Sequence, residues 1–149
     1  MPYVQQADIV VDIPPDFLTQ ALDDNGDGVA DTGLWDQIAQ LVSDEIDAQI
    51  GVRYQVPLVP NTGTYPLTNG FPPIVVNAAR VLACEKLYGR RSIGEGRNPW
   101  TSRANATRTQ LAAIGAGNFP LDPAENRKDP SASVVAGRMQ TASHSRLML

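Results

Sequence analysis

Residues 33–50 read GLWDQIAQLVSDEIDAQI, and this stretch decides the fold. Leu34, Ile38, Leu41, Val42, Ile46 and Ile50 recur at spacings of three and four. That step stacks side chains on one face of an α-helix. Asp36, Gln40, Asp44 and Asp47 fill the opposite side. A helix with one apolar stripe needs an apolar partner. The expected partner is residues 72–88, where Ile74, Val75, Val76, Ala78, Ala79, Val81, Leu82, Ala83 and Leu87 cover most of the circumference. A helix apolar nearly all round belongs at the centre of a bundle.

Helix boundaries come from the punctuation around these two segments. Proline suits a first helical turn, where its missing N–H costs nothing. Pro72-Pro73 therefore opens the central helix, and Pro14-Pro15 opens a short one over 14–22, with Phe17, Leu18 and Leu22 toward the core. Gly89 marks the end of the central helix, and Arg90 and Arg91 come next, where cations suit the helix dipole. Asn98-Pro99 opens a last helix over about 99–114, stopped by Gly115-Ala116-Gly117. Residues 4–11 read as another short helix, and Thr32 is the expected cap of the 33–50 helix. Between them the connection 55–71 holds Pro57, Pro60 and Pro66, which argue against a central strand. A small hairpin is expected around Asn61-Thr62-Gly63-Thr64. The fold class predicted is all-α: a small bundle of about four to five helices with a long proline-rich connection. Residues 1–119 form the helical domain. Residues 120–149, rich in Pro, Ser, Ala and charge, are expected to be an extended C-terminal arm that orders on assembly.

Charge is distributed unevenly. Residues 1–52 hold eleven acids and no base, while residues 53–149 hold all twelve Lys and Arg and five acids. Such polarity is an argument about partners and orientation. It fits two solvated faces of a monomer, and it equally fits a subunit whose acidic part meets the basic part of a neighbour. On the second reading Arg90, Arg91, Arg97 and Arg103 supply the basic side. Asp36, Asp44 and Asp47 supply the acidic side, with Tyr65 and Trp100 as apolar anchors.

Several chemistries find no support. The single cysteine, Cys84, lies in an apolar run and reads as an inert buried thiol. With one histidine, His144, triad chemistry lacks its parts, and no phosphate-binding loop, nucleophile elbow or dinucleotide fingerprint occurs. The chain is expected not to be an enzyme. No apolar run approaches the ~18 residues of a membrane span. The N-terminus, Met1 to Gln6, lacks the basic and apolar segments of a secretory signal. The chain is therefore expected in a cytoplasm or in something assembled there, with no membrane partner.

One motif points to a cation. In Asp23-Asp24-Asn25-Gly26-Asp27-Gly28-Val29-Ala30-Asp31, the residues Asp23, Asn25 and Asp27 fall at the first, third and fifth positions of a calcium loop. Gly28 falls at the sixth and Asp31 at the ninth. The twelfth, which should be a bidentate acid, is Leu34. The alternatives are a structural calcium held by Asp23, Asn25, Asp27 and Asp31, or a solvated polar turn without cofactor. The residues leave two competing functions: a small calcium-dependent binding module, and a nucleic-acid binder using the basic last two helices. The second lacks aromatic interleaving and any zinc-finger or helix-turn-helix signature.

The order of several pieces resembles the head-completion, or head–tail connector, adaptors of tailed phages, in particular the family first seen in Mu-like prophages. The pieces are Tyr3-Val4-x-x-Ala7-Asp8, the Asp23 to Asp31 loop, the helix ending Glu45-Ile46-Asp47-Ala48-Gln49-Ile50-Gly51-Val52-Arg53-Tyr54, then Pro57-Leu58, and the Pro72-Pro73 helix ending Leu87-Tyr88-Gly89-Arg90-Arg91. The resemblance covers roughly residues 3–120. It implies a helical bundle that forms a closed ring, commonly of roughly twelve copies, in the virion neck. The ring docks on the portal protein and receives a further connector or tail-terminator protein. Genomic DNA passes through the bore without sequence-specific contact. The family has no catalytic residues to carry over.

Overall fold

The computed structural model describes residues 1–91 and 97–121. The expected C-terminal arm lies outside the described residues, apart from Pro120 and Leu121. Among the described residues five α-helices run in order: α1 (Gln6–Ile9), α2 (Pro15–Ala21), α3 (Leu34–Ile50), α4 (Pro73–Arg90) and α5 (Thr101–Gly115). A single 3-10 turn, Pro66–Thr68, interrupts the connection between α3 and α4. Among the described residues there is no strand, so the fold is the small all-α bundle expected.

Helices α3, α4 and α5 pack against one another, and α1 and α2 lie on α4. The central position of α4 reflects its sequence: Val75, Val76, Ala78, Ala79, Leu82, Ala83, Cys84 and Leu87 are all buried. Small residues among them let neighbours approach closely. Helix α5 also comes close to α3, where a Cβ on Gly115 would run into the carbonyl oxygen of Gln49.

Four local expectations need correction. Leu41 is 58% exposed, while Ser43 is buried in its place. The buried set Ile38, Ala39, Val42, Ser43, Ile46 and Ile50 centres the stripe on the other side of Val42 from Leu41. The hydroxyl of Ser43 donates to the Ala39 carbonyl at 2.8 Å and accepts the Tyr3 N–H at 3.0 Å, so its burial leaves no polar group unmatched. Thr32 does not cap α3. The cap is Gly33 at φ 85°, a left-handed conformation that glycine adopts without strain. Helix α4 runs through Gly89 to Arg90 rather than ending before it. The hairpin around Asn61–Thr64 is absent. Asn61 instead accepts the Thr64 and Tyr65 N–H groups at its carbonyl, and its own N–H donates to the Gly70 carbonyl.

The 55–71 connection is pinned to the core. Leu58 and Phe71 are buried, and the Leu58 N–H donates to the Tyr3 hydroxyl oxygen at 2.8 Å. Tyr3 meets Phe71 edge-on at 4.9 Å. The packed part of the chain continues past residue 119: Leu121 is buried, and its N–H donates to the Tyr54 hydroxyl at 2.7 Å.

Candidate functional site

The surfaces of this bundle are best read by asking which charges are already matched within the chain. Asp12 pairs with Arg80, Asp24 with Arg90, and Glu45 with both Lys86 and Arg108. Arg108 also pairs with Glu85 at 2.6 Å. Its guanidinium thus ties α3, α4 and α5 together. Burial alone would raise the Glu45 carboxyl, but Arg108 and Lys86 outweigh it and hold the group below its ordinary range. The two carboxylates in turn raise Arg108 further above its ordinary value. Among the described residues, three of the eleven acids of residues 1–52, Asp12, Asp24 and Glu45, are therefore answered by bases of the same chain.

The candidate cations divide accordingly. Arg90 Nε donates to the Ala21 carbonyl at 2.9 Å, and its Nη2 bonds Asp24. Both partners belong to the α2 end, so Arg90 fastens α2 to α4. Arg91 is exposed, with its guanidinium 5.6 Å over the Phe17 ring, which itself stacks on Tyr88 at 4.3 Å. Arg103 is exposed 5.1 Å over Trp100. Arg97 is exposed. Trp100 is only 8% exposed, so it supports Arg103 rather than projecting as an anchor. Tyr65 is half-buried in the connection, far in sequence from both charged faces.

The candidate acids also divide. Asp36 and Asp44 are exposed on α3, with Gln40 donating to Asp44 at 2.8 Å. Leu41 lies exposed on the same helix. Asp47 is turned toward Tyr3, whose hydroxyl donates to its Oδ1 at 2.5 Å. Burial raises the Asp47 carboxyl, the Tyr3 hydrogen bond opposes this, and Asp44 adds to it; the net direction is up. Burial and the Asp47 bond likewise push the Tyr3 phenol up. Cys84 is fully buried, and desolvation pushes its thiol up to about 12, which makes it inert.

The Asp-rich loop closes on itself. Asp23 accepts the N–H groups of Gly26, Asp27 and Gly28, at 2.7, 3.3 and 2.8 Å. These bonds, with that from Gly28 foremost, hold its carboxyl below the ordinary range. Asp27 accepts the Val29 N–H, and Asn25 accepts the Asp27 N–H. Asp31 accepts from Asp24 N–H and from the Asn25 amide. Carboxylate oxygens of Asp23, Asp27 and Asp31 lie within 4.8 Å of one another. Asp36 is outside that group, and Leu34 offers no side-chain oxygen. The convergence fits a cation, yet the donor set falls short of the about six to eight oxygens calcium takes.

Nothing in the sequence announced the Arg108 junction, because Glu45 and Glu85 lie 63 and 23 residues from Arg108. No helix among the described residues is long and apolar enough to cross a membrane. The family model described as Bacteriophage Mu, Gp36 matches residues 3–139. It extends beyond the roughly 3–120 of the resemblance and takes in much of the C-terminal segment. No curated protein and no solved structure matches.

Proposed function

Because this chain belongs to the bacteriophage Mu Gp36 family, we propose that it is a structural head–tail connector subunit without catalytic activity. Identical subunits close into a ring in the neck of the virion. The ring sits between the portal protein and the next connector or tail-terminator protein. The observation that carries this reading is the family match over nearly the whole chain, which makes it a Mu-like phage protein.

The surface chemistry supports the reading. Copies joined head-to-tail through two unlike patches close into a ring when the rotation permits. The exposed charges outside the intrachain ion pairs include Asp36 and Asp44 on α3, and Arg91, Arg97 and Arg103 after α4, before α5 and on α5. These are the unlike patches. Exposed ion pairs contribute only ~0–1 kcal/mol each, so apolar contact supplies most of the affinity. Acids toward the bore repel phosphate and let the genome slide without sequence-specific contact.

A calcium-dependent binding module is the second reading, favoured by the convergence of Asp23, Asp27 and Asp31. We rank it lower because the twelfth loop position is Leu34. Gold-labelled antibody against the chain, applied to purified particles, separates the two. Label at the head–tail junction supports the connector. Particles free of the chain, with a monomer whose melting depends on calcium, support the module.

A further inference from the structure

Beyond the end of α3, three large apolar side chains are left exposed by the described chain. Two segments meet there. The first is Gly51 to Val56: a Cβ on Gly51 would lie 3.2 Å from Val56. The second is Gly117 to Leu121. The Arg53 guanidinium lies against Gly117, and the Leu121 N–H is bonded to the Tyr54 hydroxyl. On this junction Val52 is 77% exposed, Val56 36% and Phe119 56%. Scattered exposed valines are ordinary on a surface. Two of them and an exposed phenylalanine lie on two segments that meet beside a buried anchor, which offers apolar area for docking.

The remaining chain suggests what docks. From 122 to 133 it reads DPAENRKDPSAS, with no large apolar residue, and Val134-Val135-Ala136-Gly137-Arg138-Met139 comes directly after. The family match ends at residue 139, so it includes this apolar cluster and excludes residues 140–149. We propose that Val134, Val135 and Met139 of one copy seat on Val52, Val56 and Phe119 of a second copy. Extended, residues 122–133 span at most about 40 Å. That exceeds the about 25 Å length of a seventeen-residue helix such as α3. Pro123 and Pro130, with five charged side chains around them, give residues 122–133 the composition of a spacer. Each subunit then gives one segment and receives one, the head-to-tail arrangement that closes a ring. The inference rests on the ring reading above and identifies a contact that reading does not specify.

Disulfide trapping tests it. The full-length chain has one native cysteine, buried Cys84, which stays out of the reaction. A disulfide needs Cα atoms within about 7 Å, so trapping is specific. Full-length chain carrying Phe119→Cys and Val135→Cys is oxidised both as concentrated protein and in purified particles. The control carries Leu41→Cys with Val135→Cys. A ladder of interchain species, formed about ten times faster than in the control, is expected. Bridges only within one chain, or rates equal to the control in both samples, overturn the inference. Particles that hold the chain at the neck but give no ladder overturn this contact and leave the connector reading standing.

Discussion

The Arg90 guanidinium donates from Nε to the Ala21 carbonyl oxygen at 2.9 Å, across 69 residues of sequence, and so joins the end of α4 to the end of α2. Arg91, its neighbour, lies over the Phe17 ring instead. The two arginines therefore separate stability from assembly. Arg90→Glu removes the bond to Ala21 and sets a carboxylate beside Asp24, at a cost of about 1–3 kcal/mol. Arg91→Glu loses a cation–π contact of about 0.5–1 kcal/mol at an exposed site. Thermal melting should drop by several degrees for the first and hardly at all for the second, while Arg91→Glu should lower incorporation into particles. Equal melting of the two variants would contradict the anchoring role of Arg90.

The Tyr3–Asp47 pair makes a pH-dependent prediction. Asp47 has a folded-state pKa above its ordinary value, chiefly through burial. A carboxyl raised on folding binds its proton more tightly in the native state, so its contribution favours the fold at low pH and is lost as pH rises through the folded pKa. Asp47→Asn keeps an acceptor for the Tyr3 hydroxyl and removes the charge. It should therefore be neutral or stabilising at pH 7, with the gain vanishing in acid. Tyr3→Phe should cost about 1–3 kcal/mol, because the buried Leu58 N–H loses its acceptor. Urea denaturation at pH 7 and pH 4 reads both variants.

Glu45 should behave with the opposite sign. Its carboxyl is held below the ordinary range by Arg108 and Lys86, against burial. That contribution is present above the unfolded pKa and is lost as pH falls through the folded one. Glu45→Gln should destabilise at neutral pH and cease to matter in strong acid. A destabilisation that persists unchanged into acid would show that packing, not the Arg108 junction, sets its effect.

The Asp23 loop separates a structural turn from a cation site. Asp23 accepts three backbone N–H groups of its own loop. Asp23→Ala should lower the melting temperature equally in chelator and in millimolar calcium. A loss seen only in calcium would identify the loop as a cation site.

Close helix contact is tested at Gly115. Alanine there gains up to about 1 kcal/mol of helix propensity. It also drives a Cβ into the Gln49 carbonyl, and overpacking of this kind costs about 1–3 kcal/mol. Gly115→Ala should therefore be destabilising on balance, and a stabilised variant would contradict the approach of α5 to α3.

What was legible in the sequence was local. The spacing of Ile38, Val42, Ile46 and Ile50 placed α3 to within a residue, and Pro72-Pro73 placed the start of α4. The ligand spacing singled out Asp23, Asn25, Asp27 and Asp31, and carboxylate oxygens of the three acids lie within 4.8 Å of one another. What was illegible depends on partners far along the chain. Ser43 is buried because the Tyr3 N–H, 40 residues away, gives its hydroxyl a donor. Arg90 and Arg91 look alike as a charged pair, yet only Arg90 meets Ala21 and Asp24. The exposed side chain of Leu41 fits the helical period as well as Val42 does, and only the position of α4 and α5 decides between them.

The central claim is tested most directly by cryo-electron microscopy of the neck of purified phage particles. A closed ring of this helical bundle is expected between portal and tail. In it, α3 with Asp36 and Asp44 should face the Arg91, Arg97 and Arg103 surface of the next subunit. A neck map in which every density is filled by other proteins, or in which the chain is absent from the particle, would contradict it.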